Sequence, residues 1–146
     1  MEIQRSIVIS RPLNEVFDFV ADARNDPRWC PKVKAVEQVA GEGPGPGSRY
    51  VTSHRPVPLR PAREMDHRCV GWSPPRRIEW LEDDGVDRFE VSYELEEVDG
   101  GTRLSQRSEA RLGVPKLLRP LWRRGIENDV ARQLRTLKDV LEGAHI

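Results

Sequence analysis

The sequence is short of the residues that mark covalent frameworks, membrane spans and charged partners. Its 146 residues include only 2 Cys, Cys30 and Cys69. They are too few for a disulfide framework and do not form a Cys-x-x-Cys pair, so both are expected as reduced thiols. No apolar run nears the roughly 18 residues of a membrane helix, and Met1-Glu2-Ile3-Gln4-Arg5 lacks the basic and apolar regions of a signal peptide. The expected compartment is the cytoplasm, without integral membrane association. Charge excess is missing too: 24 basic residues face 24 acidic ones. With no global field to attract it, nucleic acid is not an expected partner. Arg outnumbers Lys 20 to 4, which reflects a GC-rich genome more than a mechanism. Catalytic signatures are equally scarce. There is no Gly-x-Ser-x-Gly, neither cysteine has an activating neighbour, and the glycine-proline run 41–47 lacks the lysine and following helix of a phosphate loop.

What is present suits one globular domain spanning residues 1–146. Hydrophobic residues make up 37% and charged residues 33%, more polar than average yet enough for a core. The run Ile3 to Ser10 reads as a strand ended by Pro12. Leu13, Val16, Phe17 and Val20 then form one stripe of a helix ending near Asp22. Asp26-Pro27 offers an N-cap and first-turn proline for a short turn carrying Trp29. Strands follow at 32–39, 48–54, 64–70, 77–82, 88–97 and 102–111, with turns at the 41–47 run, Pro74-Pro75, Asp83-Asp84-Gly85 and Asp99-Gly100-Gly101. Between the second pair, Arg55 to Pro61 is proline-spaced and expected as an extended loop whose arginine and leucine side chains could drape over an opening. Ile126, Val130, Leu134, Leu137 and Leu141 mark a terminal helix of about 20 residues. Leu117, Leu118, Leu121 and Trp122 suggest an earlier turn, with Pro120 and Gly125 expected to kink or break the axis.

This order gives an α+β protein in which a curved antiparallel sheet must hide one face against the only element long enough to cover it, the terminal helix. The segment Val16-Phe17-Asp18-Phe19-Val20-Ala21-Asp22, with Pro27-Arg28-Trp29, Gly47-Ser48, Pro75-Arg76-Arg77, Gly101-Thr102-Arg103 and Leu137-Lys138, resembles the SRPBCC superfamily. That superfamily includes START lipid-transfer domains, birch-pollen-type allergens and bacterial polyketide cyclase/dehydrase-like proteins. The resemblance implies a helix-grip fold, six to seven strands around a long C-terminal helix, with a deep apolar cavity between them. It implies no single reaction, so function rests on the site. Ligand pockets run roughly 300–1,000 Å³. At about 24 cal/mol per Å³, leaving ~400 Å³ empty would cost around 10 kcal/mol, a large share of the roughly 5–15 kcal/mol stability of a domain. Such a cavity should hold water or ligand.

The expected lining combines Tyr50, Thr52, Trp80, Phe89, Val91, Gln106 and Ser108 from the sheet with Leu118, Trp122 and Ile126 from the helix region. Together they suit a flat, oxygenated, partly aromatic molecule of polyketide, aromatic or lipid type. For an aldol-type cyclase, His54 or His67 could serve as general base and Tyr93 as an enolate-stabilising donor. The plainer alternative is that these aromatics are core. His67 and Cys69 share one strand face, but with only His54 to add they make no complete metal site, and neither metal nor cofactor is expected. Asp66 and His67 point to opposite faces and form no dyad. Lys116, Arg119, Arg123 and Arg124 could attract an anionic ligand at the cavity mouth, or form a solvated helix face. Two function classes stay open. One is a small-molecule-binding protein, with or without cyclase/dehydrase activity; the other is a non-enzymatic interaction module or lipid or quinone chaperone acting with a protein partner.

Overall fold

The computed structural model describes residues 1–54 and 63–143, and the extended loop expected at Arg55 to Pro61 lies outside them. Seven strands form one antiparallel sheet: β1 (Glu2–Ile9), β2 (Val33–Ala40), β3 (Arg49–His54), β4 (Arg63–Ser73), β5 (Arg77–Asp83), β6 (Arg88–Val98) and β7 (Gly101–Arg111). Their order is β1-β7-β6-β5-β4-β3-β2. Every neighbour from β2 to β7 is also a sequence neighbour, which is why short turns suffice to build the sheet. The exception is β1, which pairs with β7 from Glu2↔Glu109 to Ile9↔Thr102. The sheet curves around α3 (Arg119–Gly143) in an α+β helix-grip arrangement.

Two small helices, α1 (Leu13–Val20) and α2 (Asp26–Trp29), join β1 to β2 across a 3-10 turn at Ala23–Asn25. The stripe that specifies α1, Leu13, Val16, Phe17 and Val20, is fully buried. Phe17 meets Trp72 edge-on at 5.4 Å. Asp26 does not cap α2 as the Asp-Pro pair suggests. Asn25 precedes the helix, and Asp26 is its first residue, buried.

Along β6, Val91, Tyr93 and Leu95 are buried, as are Thr102, Leu104, Gln106, Ser108 and Ala110 along β7. The polar inward side of β7 is therefore a property of the folded sheet. β4 outruns its expected end at Val70 because a bulge between Cys69 and Gly71 resets the alternation and turns Trp72 toward the core side. The hairpin between β6 and β7 is a two-residue Asp99-Gly100 turn, with Gly100 at φ +83.

The terminal helix differs from expectation at its start. A 3-10 turn at Lys116–Leu118 leads straight into α3, whose 25 residues run without interruption. Pro120 is the second residue of α3, where no backbone N–H is needed, so it starts the helix instead of breaking it. Gly125 stays helical. Val130, Leu134, Leu137 and Leu141 are the buried stripe of α3. On its flank, Lys138 Nζ donates to Val8 O at 2.8 Å and Arg123 Nη2 to Glu2 O at 2.9 Å, tying α3 to β1. At the opposite end of the sheet, β2 pairs with β3 through two register shifts, at Val33/Ala35 and Gln38/Ala40.

Candidate functional site

A cavity of about 420 Å³ lies between the concave sheet face, α2 and the first half of α3. Period-two geometry decides who reaches it. On β3, Thr52 and His54 line it; on β4, Met65 and His67; on β6, Phe89, Val91 and Tyr93; on β7, Gln106 and Ser108. Helix α3 contributes Leu121, Trp122, Ile126 and Val130. His54, His67 and Tyr93 thus share one cavity with seven of the ten expected lining residues.

Tyr50, Trp80 and Leu118 do not line it. Tyr50 and Trp80 are buried to the side of it on the same sheet face, edge-on to each other at 6.0 Å. They brace the His67 ring, Tyr50 at 6.2 Å and Trp80 at 4.5 Å. Leu118 belongs to the 3-10 turn before α3 and is exposed. Leu121, one turn on, takes the place expected for it.

The sheet register also brings in a residue that the inward set omits. Ile78, Trp80 and Glu82 share one face of β5, and cross-strand pairing aligns Tyr50, His67, Glu82 and Phe89 in a single row. Glu82 lines the cavity, with its Oε1 3.3 Å from His67 Nδ1. The alternation Ile78-x-Trp80-x-Glu82 could have placed it there. Asp26 and Cys30 complete the polar end from α2 and the residue after it. They are one turn apart, with Cys30 N–H bonded to Asp26 O at 2.7 Å. No sequence signal separates them from an ordinary helix start.

Burial controls the charges here. It holds the His67 imidazole down at about 4 and raises Glu82 to about 7. Their contact therefore joins a neutral ring to a carboxyl that titrates near neutrality; it is not an ion pair. Burial also pushes Asp26 well above the usual carboxylate range, with the Glu82 and Asp22 charges adding to it. The Cys30 thiol is raised by burial and then by Asp26 and Glu82. The Tyr93 phenol is raised by burial and then by Cys30, Asp26 and Glu82. His54 is lowered, again by burial, against an opposing pull from Asp84. The cavity is a wall of rings and methyl groups with one cluster of weakly ionised polar groups. It can orient an apolar molecule and exchange hydrogen bonds or protons with it. Among the described residues, no three His, Cys, Asp or Glu side chains gather as metal ligands.

Several solved structures share this architecture. The protein TTHA0849 of Thermus thermophilus superimposes with a TM-score of 0.82 at 21% identity, covering 99% of each chain. A START superfamily protein of Mycobacterium smegmatis matches with a TM-score of 0.80 at 13% identity over 98% of each chain. The di-domain ARO/CYC protein StfQ of the steffimycin biosynthetic pathway gives a TM-score of 0.78 at 14% identity, covering 99% of this chain and 52% of that one. At these identities the likeness concerns the fold, and the chain spans about half of StfQ. No curated protein matches the sequence. The model of the family described as polyketide cyclase / dehydrase and lipid transport matches residues 1–142. With nearly the whole chain covered by that match and a helix-grip sheet closing over a lined cavity, the protein belongs to the polyketide cyclase / dehydrase and lipid transport family, within the SRPBCC superfamily.

Proposed function

We propose that the chain acts as one ligand-binding domain that holds a small hydrophobic molecule, polyketide-, aromatic- or lipid-like, in the cavity under α3. The single observation that carries this reading is the cavity of about 420 Å³. It falls within the usual size range of ligand pockets and is walled by Phe89, Val91, Trp122, Ile126 and Val130 around a compact polar end. The family to which the chain belongs supports the same reading. On this reading the protein works in the cytoplasm and needs neither cofactor nor nucleic acid. Thermal unfolding against a panel of aromatic polyketides and lipids tests it. A ligand present at 100 times its Kd should raise Tm by roughly 5–10 °C, and native mass spectrometry should show one molecule per chain. Trp122→Arg should abolish both signals.

In the enzymatic form of this reading, the protein works as a polyketide cyclase/dehydrase-like catalyst. His67 or His54 takes a proton from the substrate and Tyr93 donates to the developing enolate oxygen. Once a substrate is identified, His67→Ala, His54→Ala or Tyr93→Phe is expected to lower kcat by roughly a hundredfold or more, with affinity changed far less. Full activity in all three variants would remove these roles.

The alternative, a non-enzymatic interaction module or lipid or quinone chaperone acting with a protein partner, is favoured by one feature. Leu117 and Leu121 are 93% and 71% exposed, next to Lys116, Arg119 and Arg124, an apolar and basic edge beside the cavity. On either form of that reading a stoichiometric protein partner stabilises the chain, and for the pure interaction module no compound in the panel does.

A further inference from the structure

Among the described residues that line the cavity, acids outnumber cations. Four of the described residues lining the cavity are Asp or Glu, while the single Lys or Arg among them is Lys32. Lys32 is already engaged by Asp129. Asp87 is also committed, accepting from the Gly113 N–H at 2.8 Å. Asp26 and Glu82 remain. Among the described residues neither is ion-paired to Lys or Arg, and the charges acting on Asp26 are those of Glu82 and Asp22, both of its own sign.

Two deeply buried neighbours point the same way. Gln106, 5% exposed, gives its Nε2 to Ser108 Oγ at 3.3 Å and leaves Oε1 without a partner. His67, 4% exposed, has Nδ1 at Glu82 and leaves Nε2 without a partner. Both residues line the cavity. Carboxyl groups in apolar surroundings without a counter-cation are costly to ionise, and unpaired buried acceptors are costly to leave unmet. A ligand that brings positive charge and several N–H donors would relieve both costs. Phe89, Tyr93 and Trp122 offer ring faces that tolerate a cation as well as an apolar body.

We infer that the cavity selects a hydrophobic amine, whose ammonium is held by the Asp26 and Glu82 carboxyls and donates to Gln106 Oε1 while its apolar body lies against Phe89, Trp122 and Ile126. This rests on the ligand-binding reading and names the chemical class of the ligand. A fatty acid or other carboxylate would add negative charge beside two acids. A neutral alcohol would satisfy one acceptor and leave the others. An ammonium supplies the cation that the described lining does not pair with these acids, and by drawing the two carboxyls into their ionised form it releases protons on binding.

Isothermal titration calorimetry at neutral pH with three probes on one ring system, naphthylmethylamine, naphthylmethanol and naphthoate, decides it. The amine is expected to bind roughly tenfold or more tightly than the alcohol, with the carboxylate weakest. Repeating the amine titration in buffers of different ionisation enthalpy should show proton release that the alcohol lacks. The double variant Asp26→Asn/Glu82→Gln should shrink the amine-to-alcohol ratio to about threefold or less. If that variant fails to fold, the wild-type ranking and proton release carry the decision. An alcohol or carboxylate that equals or beats the amine overturns the amine assignment and leaves the cavity a binding site. An amine preference that survives in a folded double variant also overturns it. If none of the three probes binds, the amine assignment falls, and the thermal-unfolding panel of polyketides and lipids decides the ligand-binding reading separately.

Discussion

Replacing Trp29 with alanine is expected to lower the free energy of unfolding by about 3–5 kcal/mol, a large part of the stability of a domain this size. The indole is 1% exposed at the end of the four-residue helix α2 and packs edge-on against Tyr93 at 6.0 Å. A helix so short has little stability of its own, so this contact fixes where α2 sits. The indole Nε1 has no hydrogen-bond partner. The loss is therefore one of packing and apolar area, with no partner left stranded. Urea denaturation at neutral pH gives the measurement. Trp29→Phe should recover more than half of the deficit, and a loss under about 1 kcal/mol for the alanine variant would contradict the packing.

Glu82→Gln is expected to change how stability depends on pH, by a comparable amount. In the unfolded chain this carboxyl titrates at its ordinary 4.5, and in the folded protein at about 7. The folded state therefore binds the proton more tightly, so Glu82 favours folding at low pH and that advantage is lost as pH rises from 4.5 through 7. The difference corresponds to roughly 3 kcal/mol. His67 runs the other way. Its ordinary value of 6.5 falls to about 4, so its contribution is present above 6.5 and lost as pH drops toward 4, again by roughly 3 kcal/mol.

In the wild type the two trends oppose each other between 4.5 and 6.5 and largely cancel. From there to about pH 7 Glu82, helped by the raised Asp26, makes stability fall. Glu82→Gln should remove most of the decline that ends near pH 7 and expose the His67 slope, so that the variant gains stability steadily from about pH 4 to 6.5. Urea midpoints at about pH 4.5 and pH 8 check this directly. A variant whose midpoint differs from the wild type by the same amount at both pH values would show that Glu82 titrates at its ordinary value in the folded protein.

Much of the architecture is open to sequence reasoning because strands and helices advertise different periods. The alternation of Phe89, Val91, Tyr93 and Leu95 against charged neighbours, and the spacing from Ile126 to Leu141, state which face is covered. The limits have physical causes. Pro120 reads as a breaker until its position in the first turn is known, where a missing N–H costs nothing. Trp72 escapes because a bulge shifts the alternation by one residue, something no period-two pattern records. Tyr50 and Trp80 face the inside, yet facing inward does not distinguish a cavity wall from the solid core beside it.

The polar end of the site is the least legible part. Carboxylates are ordinarily solvated, so Glu82 is passed over although the alternation of Ile78 and Trp80 points it inward, and Asp26 reads as a helix cap. Only three-dimensional register shows Glu82 beside His67. The structure also supplies what composition cannot: the absence, among the described residues, of a cation paired with either acid.

An open sheet of seven strands has two outer margins, and each is a template on which another chain could crystallise into fibrils. Here both templates are spoiled by different means. Carbonyls on the margin formed by β1 are occupied by Lys138 and Arg123 of α3, so an incoming strand would first have to displace charged donors. The β2 margin is warped by its two register shifts, which deny a flat, evenly spaced ladder to anything that docks. A protein built around a hollow thereby resists polymerising through its sides.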